Sequence, residues 1–135
     1  MATPNRPPGE APSPTAPGLP HHLLVALAGQ PNVGKSTVFN LLTGLSQHVG
    51  NWAGKTVEKK TGVCELPSGR RAELTDLPGS YSLHPGSPDE VIVRDVLLGL
   101  QPDTPPPDLI VFVVDATHLD RHLYLALQVI EHMLT

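Results

Sequence analysis

Apolar residues along the chain fall into three patterns. Residues 23–28 (Leu-Leu-Val-Ala-Leu-Ala) and 109–114 (Leu-Ile-Val-Phe-Val-Val) are short and continuously apolar, the pattern of strands covered on both faces. Residues 57–66 alternate loosely, 70–75 is short, and Pro67-Ser68-Gly69 between them predicts a β-hairpin. Helical spacing holds over 37–43, closed by Gly44; over 90–98, with Asp89 as the expected N-cap and Gly99 closing; and over 119–134. The order strand, helix, hairpin, helix, strand, helix predicts a doubly wound α/β fold with a mostly parallel sheet. Four strands would leave 109–114 along an edge, where unpaired apolar strands invite aggregation. At least one more strand is therefore expected, with the chain as part of a larger domain, incomplete at its C-terminal end.

The remaining segments lack periodicity. Residues 1–20 hold seven prolines among mostly small residues, which predicts a disordered extension ahead of one folded segment, 21–135. Residues 46–56 read as a functional loop, 80–88 as a second, mobile loop, and the Pro-rich 101–107 as a surface connection. With 135 residues, 39% of them hydrophobic, the chain supports one modest core. Nine basic residues against 13 acidic ones, net charge -4, form no basic stripe, so no nucleic-acid partner is expected. The single Cys64 excludes an intrachain disulfide and fits a reducing compartment. No apolar run approaches the ~20 residues that span a bilayer, and no leader pattern opens the chain, so a soluble, cytoplasmic chain is expected.

Chemistry enters between the first strand and the first helix. Gly29-Gln30-Pro31-Asn32-Val33-Gly34-Lys35-Ser36 fits the phosphate-loop pattern G-x-x-x-x-G-K-S/T at every fixed position. The glycines let the backbone curl so that successive N–H groups face a phosphate. Lys35 supplies charge to the outer phosphates, and the Ser36 hydroxyl offers a ligand to Mg²⁺. Lys35 and Ser36 sit where a helix begins, continued by Thr37, and that helix adds unpaired N–H groups and a positive dipole end. The flanking strand and helix are the context this motif requires. The fold class expected is that of a P-loop NTPase, small G-protein-like.

Further along, Thr56 is singled out as a switch hydroxyl able to bind Mg²⁺ while its N–H meets a γ-phosphate. Trp52, in the same loop, reads first as an anchor against the body of the domain and second as a ligand contact. Asp76-Leu77-Pro78-Gly79 is a D-x-x-G tetrapeptide at the carboxyl end of a strand, where an acid holds Mg²⁺ and the glycine N–H reaches the γ-phosphate. Lys35, Thr56, Asp76 and Gly79 are thus the candidate catalytic residues. His21 and His22, neighbours at a strand entrance, read as solvated, and so do His118 and His122, four apart, because no third metal ligand is evident.

Together these motifs resemble the N-terminal G domain of the bacterial ferrous-iron transport protein B family. The resemblance runs from about Leu24 to the end. It rests on the phosphate loop, on Val49-Gly50-Asn51-Trp52-Ala53-Gly54-Lys55-Thr56-Val57-Glu58, on Asp76-Leu77-Pro78-Gly79-Ser80-Tyr81-Ser82-Leu83 and on Val114-Asp115-Ala116-Thr117. The second stretch is the most specific. The resemblance implies that residues 21–135 form a partial GTP-binding domain with GTP and GDP as ligands, that Thr56 is the switch I threonine, and that Gly54, Lys55, Val57 and Glu58 border the nucleotide. It implies Mg²⁺ at Ser36, Thr56 and Asp76, and K⁺ held by Asn32. It also implies a site on the cytoplasmic side of the membrane, ahead of a membrane-spanning iron-permease region, with homo-oligomerisation left open. The family's Asn-x-x-Asp guanine-reading motif follows the next strand, so guanine preference comes from the resemblance alone.

Where Ras-like enzymes place a water-orienting glutamine after D-x-x-G, this chain has Ser80, too short for that task. Slow hydrolysis that relies on cations and backbone groups is expected. Two other readings stay open at this level. One is a nucleotide-binding or interaction module without turnover; the other is a ribosome-assembly GTPase, which shares Pro-Asn-Val-Gly-Lys-Ser.

Overall fold

A computed structural model describes residues 22–84 and 86–134. The expected disordered extension, 1–20, and His21 lie outside the described residues. In chain order the elements are β1 (His22–Gly29), α1 (Lys35–Thr43), β2 (Gln47–Asn51), β3 (Glu58–Glu65), β4 (Arg71–Asp76), α2 (Pro88–Leu97), β5 (Leu109–Val113), a 3-10 turn (Ala116–His118) and α3 (Leu119–Met133). They build one sheet of order β2-β3-β4-β1-β5. β1 pairs in parallel with β4 and β5, whereas β3 pairs antiparallel with both β2 and β4. The expected parallel core is present at β4-β1-β5, and the hairpin side makes the sheet mixed.

β1 reads as continuously apolar because both of its faces are covered. Leu23, Val25 and Leu27 turn toward a cluster with Phe39 of α1 and with Ala72 and Leu74 of β4. Ala26 and Ala28 turn to the other face, against Ile92, Val93, Val96 and Leu97 of α2 and Leu125 and Val129 of α3. Alternation of side chains across a strand thus divides one apolar run between two helical layers.

Three expectations need correcting. Residues 46–56 are not loop throughout: Gln47–Asn51 is a fifth strand, antiparallel to β3, with Gln47 half-buried and the other four residues exposed. It is held by backbone pairing with β3, so no apolar alternation marks it in sequence. The cap of α2 is Ser87, not Asp89: its hydroxyl accepts the Glu90 N–H at 3.3 Å, and Pro88 opens the helix. Proline suits that first position because its missing N–H would be unpaired anyway. Finally, β5 is covered on both faces only in part, with Ile110 and Phe112 against the α2 and α3 cluster and Val111 against the Phe39 cluster. Residues 110–113 are half-buried, Leu109 is exposed, and among the described residues β1 is its only strand neighbour.

Candidate phosphate-binding site

β1 ends at Gly29 in the middle of the sheet, the chain turns over 30–34, and α1 starts at Lys35. Within the turn Asn32 (φ 62°) and Gly34 (φ 93°) are left-handed. Asn is one of the few side chains that accept this region, and turns of this kind bring successive N–H groups to one side as an anion cradle. At Gly34 a Cβ would meet nothing within 4 Å, so the backbone angle, not crowding, asks for glycine. α1 has no side-chain cap and no acidic residue in its first turn, which leaves its N–H groups available to an anion.

β4 lies beside β1 in parallel, with Asp76 opposite Leu27, so its acid emerges at the level where the turn begins. The Lys35 ammonium donates to Asp76 Oδ1, and both side chains are 9% exposed. The zipper continues beyond the strands: Leu77 N–H donates to Leu27 O at 3.0 Å and Ser80 N–H to Gly29 O at 2.9 Å. At Gly79 a Cβ would fall 2.8 Å from Pro31 Cα and N, so only glycine lets D-x-x-G lie against the turn. Two motifs 41 residues apart in sequence therefore line one crevice at the carboxyl ends of β1 and β4. Pro31, Asn32, Ser36 and Thr37 are exposed there and Val33 is half-buried, while Gln30 Nε2 ties the turn to α3 through Arg121 O at 2.9 Å.

Thr56 stands apart from this group. Its loop closes on itself, with Trp52 N–H donating to Val57 O at 3.0 Å and Lys55 N–H to Trp52 O at 2.9 Å. Gly54, Thr56 and Glu58 are exposed, and no hydrogen bond joins Thr56 to the phosphate loop among the described residues. What fixes the loop is Trp52, 1% exposed in the α2 cluster, with Val57 packed beside it. The anchor reading of Trp52 is the observed one. Its buried indole N–H has no partner among the described residues, a cost of about 1–3 kcal/mol. Ser80 is 1% exposed, and its hydroxyl donates to Ser82 O at 2.8 Å, committed to its own loop.

Sequence reasoning missed the contacts behind the loop. Lys59 Nζ lies 4.6 Å from the centre of the Trp52 ring and donates to Thr104 Oγ1 at 3.1 Å, with Asp103 Oδ2 at 3.9 Å. Nothing in the Pro-rich 101–107 signals this. His22 Nε2 lies 3.2 Å from Glu73, Asp115 N–H donates to His122 Nδ1 at 3.4 Å, and Thr117 Oγ1 is 3.0 Å from His118 Nδ1. No group of three or more His, Cys, Asp or Glu among the described residues is placed to hold a metal ion. Nor is any helix among them long and apolar enough to cross a membrane.

Comparison with known proteins agrees with this geometry. Residues 23–135 match the family model described as ferrous iron transport protein B. The chain is 52% identical over 107 residues to the Fe(2+) transporter FeoB of Methanocaldococcus jannaschii, a match that covers 79% of this chain and 15% of that protein. It is 45% identical over 111 residues to an Fe(2+) transport protein A/Fe(2+) transporter FeoB fusion protein of Porphyromonas gingivalis, covering 82% of this chain and 13% of the relative. Among solved structures, the G domain of the T. maritima FeoB iron transporter superposes with a TM-score of 0.74 at 50% identity, covering 82% of this chain and 66% of that one. A GDP-bound variant of the S. thermophilus FeoB G domain gives 0.69 at 49% identity, covering 81% and 39%. The chain thus spans about a seventh of the curated transporters it matches. With a phosphate-loop crevice on a mixed α/β sheet and a family match over most of its length, the chain belongs to the ferrous iron transport protein B family.

Proposed function

We propose that residues 21–135 are part of a GTP-binding domain that hydrolyses GTP slowly, on the cytoplasmic side of a ferrous-iron transporter, and that its nucleotide state regulates iron uptake. The observation that carries this is the Lys35–Asp76 pair, which sets the two charges a nucleotide site needs side by side in a crevice otherwise built of backbone. On nucleotide entry the Lys35 ammonium exchanges the carboxylate for the outer phosphates, and Asp76 is released toward a cation. Gly29 to Ser36, with Thr37, wrap the phosphates, and Leu77, Pro78 and Gly79 border the terminal one.

The residues present fit Mg²⁺. Ser36, Thr56 and Asp76 are an all-oxygen donor set, two hydroxyls and one carboxylate, as hard divalent cations require. When bound, that ion neutralises charge building on the phosphates. Asn32, exposed in the turn, is assigned to K⁺, and Gly54, Lys55, Val57 and Glu58 to the segment that closes over the nucleotide with Thr56. Because the Ser80 hydroxyl is committed to Ser82 O, no side chain follows Gly79 to orient water, which supports a slow reaction. The membrane-spanning iron-permease region is the proposed partner, with homo-oligomers compatible.

The test is GTP affinity and phosphate release, measured with K⁺ and with Na⁺. Micromolar binding and K⁺-stimulated release are expected; no binding at millimolar GTP would overturn the reading. A module that binds without turnover is the second reading, favoured by the exposed Thr56, and binding without release would select it. The family assignment displaces the ribosome-assembly reading.

A further inference from the structure

We infer that Lys59 is a positioning residue for the switch loop, clamped from behind by the connection that leaves α2. The loop 52–57 has two supports. Its own hydrogen bonds close the ring from Trp52 to Val57, and Trp52 fixes that ring to the core. The indole makes no hydrogen bond among the described residues, so its pose depends on packing and on the Lys59 ammonium 4.6 Å from the ring centre. Lys59 is in turn held by the Thr104 hydroxyl at 3.1 Å and the Asp103 carboxylate at 3.9 Å. Asp103 accepts from Gln101 Nε2 at 2.9 Å, and Gln101 is buried, its N–H donating to Asp95 O of α2 at 3.2 Å. The Asp103 carboxyl is held below its ordinary value mainly by Gln101, against a burial effect that raises it, then by Lys59 and by backbone groups including that of Ala53 in the switch loop itself.

A chain of direct contacts therefore runs from α2, the helix after D-x-x-G, through 101–104 and Lys59 to Trp52 and the loop that carries Thr56. It lies behind the loop, so it joins α2 to the loop that carries Thr56 without passing through the phosphate. Movement of α2 is transmitted to Trp52 as a change in where the Lys59 cation sits. The role assigned to Thr56 in this inference rests on the proposed GTP chemistry; the clamp itself does not.

Trp52 is the only tryptophan in the chain, so its fluorescence reads the clamp directly. In the nucleotide-free chain, Lys59→Met and Asp103→Asn should each raise acrylamide quenching of Trp52 about twofold or more, and the double variant should do no more than the larger single change. Lys59→Arg should restore the wild-type value. In GTP turnover, both charge-removing variants should lower kcat about threefold or more with KM within about twofold, the pattern of a misplaced group rather than lost binding. Asp103 is exposed, so Asp103→Asn reads the clamp even if Lys59→Met perturbs folding. Unchanged Trp52 quenching in Asp103→Asn overturns the clamp, as does additive quenching in the double variant. Altered quenching with unchanged kcat keeps the clamp and overturns its role at Thr56. Failure of the wild type to bind GTP would strike the proposed function and leave the fluorescence result standing.

Discussion

Lys35 and Asp76 are both nearly buried, and each is the partner that makes the other's burial tolerable. Removing the ammonium in Lys35→Ala strands a carboxylate, which costs about 3–5 kcal/mol for a buried pair. It also deletes phosphate contacts worth about 3 kcal/mol, or about 100-fold in affinity. Loss of GTP binding by at least that factor is expected at a temperature where circular dichroism shows the variant folded; retained micromolar affinity would end the phosphate-loop assignment. Asn32 is a different kind of residue, exposed and left-handed in the turn. Asn32→Ala should abolish K⁺ stimulation of turnover while GDP affinity stays within about threefold, since the cradle is backbone. Stimulation that survives in the variant would remove Asn32 from the K⁺ site. Lys35 was legible in sequence because the motif fixes it by type and spacing, whereas Asn32 fills a variable position and was singled out by the family resemblance alone. Lys59 and Asp103 were not, since a lysine and an aspartate 44 positions apart carry no pattern until the fold places them 3.9 Å from each other.

Among the elements, the helices were read more completely than the sheet. α1 and α3 follow their apolar spacing, and Gly44 and Gly99 stand just past helix ends, at φ 56° and 73°. The start of α2 was misread by two residues, although Ser87-Pro88-Asp89-Glu90 holds a capping signature: serine, proline at the first position, and glutamate three residues on. Ser87→Ala should lower stability by about 1 kcal/mol, measured as a shift in urea midpoint at constant slope. No shift would mean that water replaces the cap. β2 was missed for a reason that sequence cannot repair. Four of its five residues face water, so it is a strand only because β3 offers a free edge of N–H and C=O groups.

For the molecule as a whole, many of the large exposed apolar residues among those described fall on or just after α3 and α1. Leu123, Tyr124, Leu127, Ile130 and Met133 are exposed along α3 and Leu134 just past it, as are Leu41 and Leu42 in α1 and Leu45 just past it. The chain covers 66% of the T. maritima G domain it superposes on. Two carboxyls give the whole a pH dependence of known sign. Asp103 is lowered mainly by Gln101, and Asp115 by the Thr117 hydroxyl and N–H, both from an ordinary value of 3.8. Each binds its proton more weakly when folded, so its contribution is complete above 3.8 and disappears as pH falls through the lowered values. Urea midpoints should therefore fall between about pH 5 and pH 2, and less steeply in Asp103→Asn. Equal slopes for wild type and variant would show that Asp103 is unpaired in solution.

By itself, the sequence determined what short-range chemistry dictates: a phosphate loop between an apolar strand and a helix, a D-x-x-G after a hairpin, and the family they identify. Those features depend on residue type at fixed spacing, where backbone angles and side-chain chemistry act locally. Only the tertiary structure decided that Gly79 rests on Pro31, that Lys35 meets Asp76, that a polar segment becomes an edge strand, and that Thr56 stays exposed in a loop whose buried tryptophan lies beside the Lys59 ammonium. These contacts join residues distant along the chain. Their geometry follows from strand order and helix packing, which no local pattern specifies.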